Sequence, residues 1–97
     1  MRYEWDEDKN RGNIAKHKVS FDTAIAVFDD PHELSIVDRI VKGEERWQTL
    51  GMIAGILLIV AHTWREEGGD EVIRVISARK ANAIERRAYA KNLQRSR

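Results

Sequence analysis

The chain has 97 residues, no cysteine, and 17 Lys or Arg against 16 Asp or Glu, for a formal net charge of +1. That length supports one modest hydrophobic core, so residues 1–97 are expected to form a single domain, and the lack of cysteine excludes a disulfide framework and a thiolate metal site. The acidic start MRYEWDEDKN has no apolar signal core, and the longest apolar run, Met52 to Ala61, is broken by Gly55 and too short to span a bilayer, so the expectation is a cytoplasmic protein with no membrane contact.

In chain order, Arg2 to Trp5 alternates polar and apolar side chains, which predicts a short first strand. Asp6 has the character of a helix N-cap, with Glu7 and Asp8 in the first turn, where the macrodipole favours acids. The helix it starts is thinly anchored, with Ile14 as its only large aliphatic residue, and Lys9, Arg11, Lys16, His17 and Lys18 make its surface basic. Ser20 is a second N-cap, followed by Phe21, Ala24, Ile25 and Phe28 at helical spacing. Asp29-Asp30-Pro31 ends that short core helix, because the residue before a proline is pushed out of the helical region. Leu34, Ile36 and Ile40, with Asp38 interrupting the alternation, predict a half-exposed strand. Arg46 to Ile53 and Ile56 to Trp64 predict two strands about Ala54-Gly55, and ILLIVA, apolar throughout, marks the second as central and covered on both faces. After Gly68-Gly69, EVIRVISA predicts a last strand, and Ala81, Ile84, Ala88 and Leu93 form the apolar face of a final helix. The order β-α-α-β-β-β-β-α predicts an α+β fold, a small antiparallel sheet with two N-terminal helices and a C-terminal helix packed on it.

Charge is unevenly spread: residues 1–45 carry a net −4 and residues 46–97 a net +5. From Val72 to Arg97, eight Lys or Arg (Arg74, Arg79, Lys80, Arg86, Arg87, Lys91, Arg95 and Arg97) face one acid, Glu85. A strand and helix of this kind suit a polyanion, since guanidinium holds phosphate bidentately; a solvated helix face with basic residues near its C-terminus has the same composition.

Centring the two hairpins on Ala54 and Gly68 places Arg46 opposite His62 and His62 opposite Arg74, one row on one face, with Gln48 beside it. An imidazole between two guanidiniums suits metal-independent RNA cleavage by attack of the ribose 2′-OH, which needs a proton acceptor and cations for the charge growing on phosphorus. A one-residue slip in either turn removes the row, and Arg46 and Arg74 then have Glu44, Glu45, Glu66 and Glu71 as rim partners. The sequence has no HExxH motif and no carboxylate cluster at metal-binding spacing, Asp29-Asp30 sitting at a helix stop, so no metal or other cofactor is expected.

Four ordered blocks, YEWDEDKNRGNIAKHKVSFDTAIAVFDDP, EERWQTLG, LLIVAHTWR and RVISARKANAIERRAY, resemble the BrnT family of type II toxins. The resemblance implies a RelE-like α+β endoribonuclease toxin that blocks translation by cleaving RNA. It also implies neutralisation by a BrnA-like antitoxin with a ribbon-helix-helix domain, through which the complex reaches operator DNA. Matched position by position, it implies site roles for Lys16, His17, Arg46, Arg74, Arg79, Glu85 and Tyr89, which makes His17 a competitor to His62 as general base. Tyr89 follows Glu85 by one helical turn, so the two can pair. Trp5 and Trp47 are expected in the core. The rival readings are a binding module for nucleic acid or protein without catalysis, and an inert interaction scaffold.

Overall fold

In the computed structural model, which describes residues 1–95, the chain forms β1 (Arg2–Glu4), α1 (Glu7–His17), α2 (Phe21–Ala24) running into a 3-10 helix (Ile25–Asp29), β2 (Leu34–Val41), β3 (Glu44–Ile53), β4 (Ile56–Glu67), β5 (Asp70–Lys80) and α3 (Ala83–Arg95). Arg97, counted among the cations above, lies outside the described residues. Both predicted caps form. Asp6 accepts hydrogen bonds from the backbone N–H groups of Asp8 and Lys9, and Ser20 accepts one from Thr23, satisfying donors that a helix start leaves unpaired.

The sheet order is β1-β5-β4-β3-β2, antiparallel except for β1, which lies parallel to β5. The uniformly apolar strand is thus the central one. On one face β4 and β5 bury Leu58, Val60, Val75 and Ala78 against Val19, Phe21, Ala24 and Val27, with Trp5 packed alongside. On the other face Leu50, Leu57 and Ile59 meet Ala81 and Tyr89 of the α3 segment. Val27 presses so closely on β3 that a Cβ at Gly51 would sit 2.6 Å from its Cβ, so only glycine lets the 3-10 helix lie down there. The final helix differs from expectation in its rotation: Ile84 is 74% exposed and Tyr89 is the buried anchor. The reason is its start, where Asn82 Oδ1 accepts from the Glu85 N–H at 2.8 Å and Glu85 Oε1 accepts from the Asn82 N–H at 2.9 Å. This capping box turns Ile84 outward.

All three hairpins turn on two residues, Lys42-Gly43, Ala54-Gly55 and Gly68-Gly69, each with positive φ at both positions, as a type I′ connection requires. A two-residue turn is centred between residues, not on one. The expected register is therefore off by one in both hairpins: Arg46 pairs with Thr63, and Thr63 with Arg74, while His62 pairs with Trp47 and Val75. The two arginines do share a row, but Thr63 stands between them and His62 points to the opposite face.

Candidate functional site

The face carrying α3 gathers the arginines. Arg74 and Arg79 are five residues apart, so simple alternation along a strand would put them on opposite faces. A bulge re-phases β5: His62 pairs with Val75 but Ala61 pairs with Ser77, leaving Ile76 as the extra residue. Arg46, Arg74 and Arg79 consequently all project from the same face. Their register partners on β4, Thr63 for the first two and Ile59 for the third, are four residues apart, which separates the two groups by roughly 13 Å along the sheet.

At one end, Arg79 donates through Nη1 and Nη2 to Oε1 and Oε2 of Glu85 at 2.8 and 2.9 Å, a fork across two oxygens. Those bonds raise the Arg79 pKa and hold the Glu85 carboxyl below its ordinary range, so Glu85 is ionised at neutral pH. At the other end, Arg74 Nη2 donates to Glu44 Oε1 at 2.7 Å, and Arg46 Nε stands 3.8 Å from the same oxygen. The rim pairing that the sequence left open is therefore made by Glu44. Beside these groups an apolar groove of about 190 Å³ runs between the sheet (Leu34, Ile36, Leu50, Ile59) and α3 (Ile84, Ala88).

His62 is 2% exposed on the opposite face, enclosed edge-on by Phe28 at 4.9 Å between ring centres. Its Nε2 bonds Thr49 Oγ1 at 2.7 Å, which in turn bonds Ser35 Oγ at 2.7 Å, and its Nδ1 lies 3.1 Å from the Thr63 carbonyl. Burial pushes its pKa down and outweighs the opposing effect of that carbonyl. The imidazole is a satisfied core group that ties β2, β3 and β4 together. Trp5 and Trp47, both expected in the core, are each half-buried: Trp5 packs edge-on against Phe21 at the edge of the core, and Trp47 meets Trp64 edge-on.

Tyr89 does not pair with Glu85. Its hydroxyl donates to Asp30 Oδ2, and burial followed by that carboxylate pushes its pKa up to about 12. Asp30 also accepts from the backbone N–H of Met52 and of His32, both at 2.8 Å. Burial alone would raise the Asp30 pKa, but these three donors outweigh it and hold it low. Asp30 thus joins the loop before β2, the end of β3 and α3. Nothing but its place before Pro31 marked it in the sequence. Glu85 as a capping residue was legible as N-x-x-E, the polar box that opens a helix.

Lys16 is exposed and His17 half-buried in the last turn of α1. That helix is fastened to the face opposite α3, where Asn13 Nδ2 donates to the Ala78 carbonyl at 2.8 Å and Asn13 Oδ1 accepts from the Ala78 N–H at 3.1 Å. Lys16 and His17 are therefore not brought together with the arginines.

No helix among the described residues is long and apolar enough to cross a membrane. No curated protein matches the sequence. Residues 5–85 match the family described as "Ribonuclease toxin, BrnT, of type II toxin-antitoxin system". The match takes in the capped helices, the whole sheet from β2 to β5 and the Arg79–Glu85 pair, and by it the chain belongs to the BrnT family of ribonuclease toxins.

Proposed function

We propose that this toxin is a metal-independent endoribonuclease acting in the cytoplasm to block translation, with Arg79 and Glu85 at the reacting phosphate. The observation that carries this reading is the forked pair of those two residues on an open sheet face. Among the described residues Glu85 Oε2 has Arg79 as its one hydrogen-bond partner, which leaves lone-pair capacity for a ribose 2′-OH. The carboxylate, kept ionised by the guanidinium, accepts that proton as the 2′-oxygen attacks phosphorus; Arg79 stabilises the charge that builds on the phosphoryl oxygens, and the P–O5′ bond breaks to give a 2′,3′-cyclic phosphate and a 5′-hydroxyl, whose proton comes from solvent water while Glu85 returns its own to solvent. Arg46 and Arg74, farther along the face, hold the RNA chain. Tyr89 and His62 support the scaffold, and on α1 Lys16 contributes charge to the approach of RNA, with His17 beside it, rather than to the chemistry.

The pH profile distinguishes this arrangement from histidine catalysis. A carboxyl with a depressed pKa is charged above it and loses its charge as the pH falls through it. Cleavage should therefore persist from neutral pH down through the histidine range and fall only below the ordinary glutamate value of 4.5. Single-turnover cleavage on protein shown to be folded at each pH makes the measurement, with Glu85→Gln expected to lose turnover throughout. An acidic limb near about 6.5 would assign the base to a histidine instead.

The partner in this reading is a BrnA-like antitoxin with a ribbon-helix-helix domain, which carries the complex to operator DNA. An antitoxin segment with acids among apolar residues fits the groove beside Arg79 and shields the cationic face. A stoichiometric complex that still cut RNA would remove occlusion from the account.

A further inference from the structure

The row Arg46–Thr63–Arg74 contains two buried polar atoms without a hydrogen-bond partner among the described residues, Arg46 Nε and Thr63 Oγ1. Such groups are rare, and their occurrence at adjacent positions of one row needs a reason. Thr63 is 1% exposed, with its backbone paired on both sides, so its hydroxyl has no structural task in β4. Two carboxylates stand at this row: Glu4 of β1, the register partner of Arg74, which is bonded at 2.7 Å by Arg65 instead, and Glu44, two residues before Arg46 on the same strand and hence on the same face, which meets Arg74. Glu44 Oε1 bonds Arg74 at 2.7 Å and stays 3.8 Å from Arg46, within attraction but beyond a hydrogen bond. Glu44 and Arg74 are 39% and 37% exposed, and an ion pair that open to water is weak enough to break. A carboxylate offers two oxygens in a plane, whereas a phosphodiester offers its oxygens tetrahedrally and can engage more than one guanidinium at once.

We propose that Arg46, Thr63 and Arg74 form a phosphate subsite, separate from Arg79–Glu85, in which the Glu44 carboxylate stands in for an RNA phosphodiester and must swing away when RNA binds. This rests on the nuclease reading for its ligand but not for its test. The incoming phosphate accepts from Arg74 in place of Glu44, from Arg46 Nε, and from the Thr63 hydroxyl, which gains the partner it lacks. At roughly 13 Å from Arg79, about two phosphate steps of an extended strand, the subsite takes a phosphate farther along the chain rather than the reacting one. Glu44 then sets substrate affinity: it neutralises the arginines while the site is empty and competes with RNA for them.

The test is the affinity of a fluorescent, fully 2′-O-methylated oligonucleotide, which cannot be cleaved by 2′-OH attack, measured by anisotropy. Glu44→Gln should bind it roughly tenfold more tightly than the native protein, the scale of one charge-assisted hydrogen bond. Glu45→Gln makes the same change in net charge at the neighbouring position, which faces the other way, and should change affinity by less than about twofold. Glu44→Asp alters no charge but withdraws the carboxylate, and should tighten binding by about threefold; it also serves if Glu44→Gln does not fold. Adding Thr63→Val to Glu44→Gln should take back part of the gain, while Thr63→Ser keeps it. Glu44→Gln binding no more tightly than Glu45→Gln, or Glu44→Asp no more tightly than native, overturns the subsite even if the protein cuts RNA normally. The expected pattern in a protein that never cuts RNA would instead keep the subsite and remove the nuclease reading.

Discussion

Arg79→Ala is expected to lower the turnover of RNA cleavage by about two to three orders of magnitude, whereas Arg87→Ala should stay within about twofold of native. Both remove one positive charge from the same segment, so a diffuse electrostatic surface would weaken equally in the two. The difference lies in geometry. Arg79 is a forked partner of Glu85 on the sheet face, while Arg87 is exposed on α3 and makes no side-chain hydrogen bond or ion pair among the described residues. Loss of Arg79 also frees Glu85 to regain an ordinary pKa, which should move the acidic limb of the profile upward. Arg74→Ala should instead raise KM with turnover nearly intact, because it holds a phosphate farther along the chain and gains nothing as the bond breaks. Equal turnover losses in Arg79→Ala and Arg87→Ala would contradict a defined site.

The largest expected effect on stability is at Asp30. One carboxylate there binds three donors from three parts of the chain, the Tyr89 hydroxyl and the N–H groups of Met52 and His32. Asp30→Ala leaves a buried tyrosine hydroxyl and two backbone donors short of their partner and should cost about 3 kcal/mol, or more than about 10 °C in melting temperature for a domain of this size. Tyr89→Phe removes one of the three bonds without a cavity and should cost about half as much. The folded-state pKa of Asp30 is held below its ordinary 3.8, so this contribution is present at neutral pH and lost as the pH falls through the folded value. Urea unfolding at pH 7 of native, Asp30→Ala and Tyr89→Phe compares them. A change below about 1 kcal/mol in both would mean that α3 is held by Leu50, Leu57 and Ile59 alone.

The parts of the fold governed by short-range rules were legible in the sequence. Asp6 and Ser20 cap helices because their side chains serve donors two or three residues on, and Ile56 to Ala61 reads as central because every position is apolar. The parts governed by long-range placement were not. The parallel seat of β1 beside β5 joins residues about seventy positions apart, and no local pattern encodes it. The row of the site turned on whether each hairpin centres on a residue or between two, half a residue that decides which face His62 occupies. Arg46 and Arg74 kept their common row because the two errors had the same sign and cancelled across β4. The bulge at Ile76 that brings Arg79 onto the same face has no sequence mark, and neither does the reach of Glu44 across β4 to Arg74. Glu85 was matched through the family resemblance, but its double task, capping α3 and holding Arg79, appears only when the strand end and the helix start are seen together.

The most direct measurement of the central claim is end-group analysis of a defined RNA cut by the purified toxin in excess EDTA. Attack by the 2′-oxygen, with Glu85 taking its proton and Arg79 meeting the charge on the phosphate, requires undiminished cleavage under chelation and fragments ending in 2′,3′-cyclic or 3′-phosphate, with none from Glu85→Gln at matched concentration. Fragments ending in 3′-hydroxyl, or cleavage that returns only when Mg²⁺ is added back, would contradict it.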